Sequence, residues 1–154
     1  MFRTAEEIQE IDLEGFQVIS GELFRGLSKP HIPTLTIWND SICFSKAAVT
    51  SLQNCERIRI EVDNGKKLIL VTPVTTSDRN NVRWAKVGKD VSPRRIDCKA
   101  FTIPLYEQWA WKKDRVYRSV GRLVMADKKL MMLFDFNNNE NWEYKTKTKG
   151  QSDA

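Results

Sequence analysis

From Ile58 to Val62 the apolar residues alternate with Arg57, Arg59 and Glu61, the two-residue period of a strand with one face buried and one in water. Asp63-Asn64-Gly65-Lys66 supplies an Asn-Gly turn whose central residues tolerate positive φ, so Leu68 to Val71 reads as the returning strand of a hairpin. Upstream, Ile42 and Phe44 alternate with Ser41 and Cys43, and Ser45 is a good N-cap for a short helix carrying Ala48, Val49 and Leu52 inward. A similar order follows later in the chain. Phe101 and Ile103 predict one face of a strand, Pro104 suits the first turn of a helix, and Leu105, Trp109 and Trp111 supply bulk. A longer hairpin then runs from Arg115 to about Met125 and returns from Leu130 to Phe136, with its bend at Ala126-Asp127-Lys128-Lys129.

The two stretches are also alike in residues. Phe44-Ser45-Lys46 corresponds to Phe101-Thr102-Ile103, Glu56-Arg57-Ile58 to Asp114-Arg115-Val116, and Lys66-Lys67-Leu68 to Lys128-Lys129-Leu130, at separations of 57 to 62 residues. Two copies of a unit this small imply that each buries the other's apolar face. The expected fold is mainly β with short helices (α+β), with two tandem pseudo-symmetric strand-helix-hairpin modules forming one compact barrel-like domain. Residues 1–40 would hold an acidic N-terminal helix, capped by Thr4 with Glu7 and presenting Ile8 and Ile11, and two strands packing on the body, Phe16 to Ile19 and Leu35 to Trp38. Residues 41–72 form the first hairpin module, 73–97 a basic connector with a short strand at Val82 to Val87, 98–136 the second module, and 137–154 a disordered tail.

That order of elements resembles the swapped-hairpin module of AbrB- and SpoVT-type transition-state regulators and antitoxin DNA-binding domains. The resemblance covers Ser41 to Thr72 and Cys98 to Phe136, roughly half the chain. Ile103-Pro104 matches the family's aliphatic-proline step and Lys99 lies near its preceding basic position; in the first copy Phe44-Ser45 stands at that step and Val49-Thr50 where helix arginines are common. The resemblance implies interlocked hairpins, here within one chain, and a DNA-binding role in transcription regulation. The segments Ile42 to Leu52 and Val82-Arg83-Trp84 are also similar to small uncharacterised proteins of Gram-positive mobile elements and phages.

Composition narrows the function classes. With 154 residues, 41% of them apolar, seven Phe and five Trp, the chain can bury a sizeable core. A net charge of +5 and a pI near 9.2 favour an acidic partner, of which nucleic acid is the commonest. Cys43, Cys55 and Cys98 are never spaced as metal ligands or a redox pair and read as reduced thiols of a cytoplasmic protein. The N-terminus is acidic where a signal peptide would be basic, and no stretch approaches the roughly 18 apolar residues of a membrane span. No membrane association is expected, and the chain would be a monomer or a homodimer.

Catalysis finds no support in these residues. His31 is the only histidine, so a histidine-based acid-base pair or triad is excluded; Cys98 stands on an apparent strand, which favours packing; and the seven glycines form no phosphate-cradling loop. The chain is therefore read as a non-enzyme without a cofactor. The connector differs from the rest of the surface, because Arg79, Arg83, Lys86, Arg94 and Arg95, with Lys99 beyond, outnumber the local carboxylates and surround Trp84. Cations in a polar loop can follow phosphates while one aromatic stacks on an exposed base. These seven residues are the candidate nucleic-acid-binding set, with DNA favoured over RNA. The alternative is a protein-interaction module that recruits or inhibits a protein partner.

Overall fold

The computed structural model describes residues 8–21 and 32–144. The chain divides into two units, residues 1–30 and 31–154. In the first, residues 8–21 follow an irregular path with a turn at Gly15, where φ is +92°. Phe16 to Ile19 is not a strand: it has no ladder partner among the described residues, and β propensity without a pairing strand does not hold an extended segment. Phe16, Val18 and Ile19 are exposed, as are Ile8 and Ile11, which lie outside any helix. Thr4, Glu7, His31 and residues 145–154 lie outside the described residues, while within the tail expected over 137–154 the stretch Glu140–Glu143 is a strand, because it finds a ladder partner in Arg115 to Arg118.

The second unit carries eleven strands and two short helices among its described residues. β1 (Thr34–Ile37) and β2 (Ser41–Phe44) form a hairpin, followed by α1 (Lys46–Ser51) and a second hairpin of β3 (Arg57–Asp63) and β4 (Leu68–Val74). The connector holds β5 (Val82–Arg83), β6 (Ala85–Val87), β7 (Val91–Pro93) and β8 (Ile96–Asp97). Then come α2 (Lys99–Gln108), β9 (Arg115–Ala126), β10 (Lys129–Asp135) and β11 (Glu140–Glu143). The strands make a curled half-barrel sheet in the order β5-β3-β4-β10-β9-β1-β2-β8, every pair antiparallel, with β11 also on β9.

The two edge strands of this sheet, β5 and β8, are joined by the β6–β7 hairpin. Its ladder pairs Ala85 with Pro93 and continues toward the sheet through the Arg94 N–H, which donates to the Trp84 carbonyl at 2.9 Å. The connector thus spans from one edge of the half-barrel to the other. Inside lie Trp84, Trp109, Phe44, Phe134 and Phe136, each at most 2% exposed, in edge-on and tilted contacts such as Phe44 against Trp84 at 5.0 Å.

Local chemistry departs from expectation in two places. Asp63 pairs with Leu68, so the first hairpin has a four-residue loop, and its positive φ falls on Lys67 (+55°) rather than on Asn64 or Gly65. The Asp63 carboxylate accepts the Lys66 N–H at 3.0 Å and shapes the turn from outside the Asn-Gly pair. In the second stretch, Phe101 and Ile103 belong to α2, not to a strand, and Pro104 lies inside the helix rather than in its first turn. The buried residues Thr102, Leu105, Tyr106 and Trp109 recur at helical spacing and outweigh the alternation of Phe101 with Ile103, which is 46% exposed. Thr102 also anchors the helix by donating its hydroxyl to the Asn39 carbonyl at 2.7 Å.

Candidate nucleic-acid interface

The connector's residues take three different roles. Val82 and Trp84 turn inward where β5 gives way to β6, and Trp84 is fully buried. Its indole N–H donates to the Cys55 carbonyl at 2.7 Å and its backbone N–H to the Glu56 carbonyl at 3.3 Å. Trp84 therefore cannot stack on a base. It leaves the candidate set as a core residue, because a large apolar ring at the sheet edge gains more from burial than from water.

Arg83 and Arg95 are tied to the body. Arg83 Nη2 donates to Glu56 Oε1 at 2.9 Å, while its Nε is buried without an acceptor. Arg95 Nε donates to the Ser41 hydroxyl at 2.8 Å, its Nη2 lies 3.5 Å from Asp40, and its guanidinium sits 4.2 Å over the Trp38 ring. Both remain partly exposed, so they can still present charge outward.

Arg79, Lys86, Arg94 and Lys99 are exposed and make no ion pair among the described residues. Lys86 lies opposite Ser92 on the β6–β7 hairpin, Arg94 follows β7, and exposed Lys89 stands in the turn between the two strands. Arg79 occupies the turn between β4 and β5. Its neighbour Asp78 is held below the usual carboxylate range, first by the Asn80 N–H and then by bonding to Arg59. Lys99 opens α2 and lines a cavity of about 330 Å³ with Asn39, Asp40, Ile103, Tyr106 and Lys113. Lys113 is a cation that the sequence reading missed; its only signal is the polar turn Asn39-Asp40, whose Asn39 side chain donates to the Lys113 carbonyl at 3.2 Å.

Four carboxylates of this region are committed elsewhere, while Asp97 is exposed and makes no ion pair among the described residues. Glu56 holds Arg83, Asp40 holds Arg95, Asp78 holds Arg59, and Asp90 holds Lys46 at 3.0 Å. The remaining cations outnumber Asp97, the connector's one unpaired carboxylate among the described residues. Asp90 lies below the ordinary carboxylate range because Lys46 and the Val91 N–H both bond it, so it stays ionised and keeps that commitment at neutral pH.

The thiols are poor nucleophiles. Burial pushes Cys55 and Cys98 up to about 11 and raises Cys43 as well, so all three are protonated at neutral pH. Among the described residues no group of three or more His, Cys, Asp or Glu could hold a metal ion, and no helix is long and apolar enough to cross a membrane. Comparison with protein-family models, with curated proteins and with solved structures finds no match for the chain.

Proposed function

We propose that the chain is a non-enzymatic nucleic-acid-binding protein, a DNA-binding regulator or accessory factor, that grips phosphates with the β6–β7 hairpin and its flanks. The observation that carries this reading is the charge imbalance of the connector surface. Asp40, Glu56, Asp78 and Asp90 are each bonded to other cations, which leaves Asp97 as the connector's one unpaired carboxylate among the described residues, while Arg79, Lys86, Arg94 and Lys99 stand exposed without an ion pair there. With Trp84 in the core, the surface loses the base-stacking platform that would favour single strands, so duplex DNA is the preferred form. Contacts of this kind give affinity with little sequence discrimination.

The proposal includes a duplicated architecture of the AbrB type within one chain. Exchange β1 with β5, β2 with β8, β3 with β9 and β4 with β10. Read as a ring closed through the connector, the strand order is then unchanged, and β4 against β10 and β2 against β8 pair like with like. Three free cysteines favour a reducing, cytoplasmic setting.

Fluorescence anisotropy of a labelled duplex against the full chain, across salt, tests the function. The logarithm of affinity should fall linearly with the logarithm of salt, by about 0.9 for each phosphate contacted, giving a slope of about −3 to −4 for the four free cations. Lys86→Glu with Arg94→Glu should weaken binding by more than about tenfold at low salt and flatten the slope. No detectable binding to duplex or single strand at low salt sinks the reading.

A further inference from the structure

On the outer face of the sheet, one cross-strand row runs from a negative to a positive end. Glu61 lies opposite Leu70, Leu70 opposite Leu133, and Leu133 opposite Arg122, crossing β3, β4, β10 and β9 in turn. Successive residues of a strand point to opposite faces, and Ile69 and Phe134, which flank the two leucines in sequence, are fully buried in the core; the row therefore looks outward. Leu70 and Leu133 are only half-buried. Two shallow depressions, of about 280 and 350 Å³, meet at Leu133, and Val120 beside them is 53% exposed. Glu61 bonds only the neighbouring Arg59, at 3.0 Å, and Arg122 has no ion pair among the described residues.

We propose that this face docks a second copy of the chain, outer sheet on outer sheet, about a twofold axis that runs parallel to the strands between β4 and β10. That rotation reverses the row. It sets Arg122 of one copy over the partner's Glu61 at both ends of the contact, and the two leucines of each copy over those of the other. A twofold axis lying across the strands would instead set Glu61 on the partner's Glu61 and Arg122 on the partner's Arg122, so the charges select the first arrangement. Sheets stacked face to face lie about 10 Å apart, a gap that opposed leucine side chains fill. A patch with both signs at opposite ends of an apolar centre complements its own copy. It does not complement a uniformly negative partner such as nucleic acid or an anionic lipid surface. The row meets the connector only through Arg59, which bonds both Glu61 and Asp78, and it holds none of the four exposed cations assigned to phosphate, so dimerisation is tested apart from nucleic-acid binding.

Sedimentation velocity of the full chain, over about two decades of concentration, decides the matter. The expected result is a reversible, concentration-dependent dimer. Glu61→Arg and Arg122→Glu should each raise its dissociation constant by at least about tenfold, and the double variant, which restores opposite charges, should return to within about threefold of the natural chain. All four positions of the row are partly or fully exposed, so circular dichroism should show each variant folded. A chain that stays monomeric throughout overturns the proposal. So does a dimer indifferent to either single reversal, or a double variant no tighter than the singles.

Discussion

The stretch β2-α1-β3-β4 and the stretch β8-α2-β9-β10 run through the same order of elements, yet hold them with different chemistry. In the first, Ser45 caps a six-residue helix and a four-residue loop closes a hairpin of two seven-residue strands. In the second, Cys98 precedes a ten-residue helix without a side-chain cap, and a two-residue turn closes a hairpin whose first strand is twelve residues long. The difference teaches that packing on the shared core, rather than any local signal, fixes the order. α2 forms with Pro104 inside it because Thr102, Leu105, Tyr106 and Trp109 bury one face.

The largest asymmetry between the hairpins is Gly121. It pairs with Phe134, and a Cβ added there would meet Phe134 at 2.7 Å and Met132 at 2.8 Å. Both neighbours are fully buried, so neither side chain has free space to move into. Gly121→Val should cost about 3 kcal/mol, at the upper end of overpacking effects, measured by chemical denaturation. A cost below about 1 kcal/mol would mean that β9 shifts freely on β10 and that the second hairpin is the looser of the two.

Much of the fold is legible in the residues. The alternation from Arg57 to Val62 places β3, the bend at Ala126 to Lys129 places the second turn, and Ser45 is the N-cap that its type and position announce. What misleads is local preference taken alone. Phe101 and Ile103 alternate like a strand while the helical spacing from Thr102 to Trp109 carries the burial, and Trp84 sits among arginines in sequence yet lies in the core. The candidate interface is legible only in part. A run of basic residues in sequence cannot tell Arg83 and Arg95, which find Glu56 and Asp40 across the fold, from Lys86 and Arg94, which make no ion pair among the described residues.

The caps offer a second, smaller contrast. Ser45 Oγ accepts the Ala48 N–H at 3.3 Å and the Thr34 N–H at 2.9 Å, so it ties α1 to β1 as well as closing the helix. Ser45→Ala should cost about 1–2 kcal/mol. Cys98 has ψ 55°, far from the 161° of Ser45, and its carbonyl already accepts the Phe101 N–H at 2.8 Å. Cys98→Ser should therefore change stability by less than about 0.5 kcal/mol, despite serine's ordinary preference for that position. If the two substitutions prove equal in size, the helices are held alike and the contrast between the stretches dissolves.

The turns sharpen the comparison in the opposite direction, by a gain. Asp127 and Lys128 take φ of +50° and +62°, the paired positive values of the tight hairpin turn that Asn-Gly serves best, whereas the Asn64-Gly65 pair of the first hairpin has no positive φ to accommodate. A left-handed conformation costs a residue with a Cβ about 1–2 kcal/mol, although Asp bears it more easily than most. Asp127→Asn with Lys128→Gly should thus raise stability by about 1 kcal/mol, the relief being partly offset by glycine's greater freedom in the unfolded chain. Gly65→Ala at the other turn should be neutral to slightly stabilising, since the nearest atom to an added Cβ is the Asp63 carboxylate at 3.6 Å. The two effects read together in one denaturation series. A large loss at Gly65 with no gain at Lys128 would mean that the turn chemistry is assigned to the wrong hairpin.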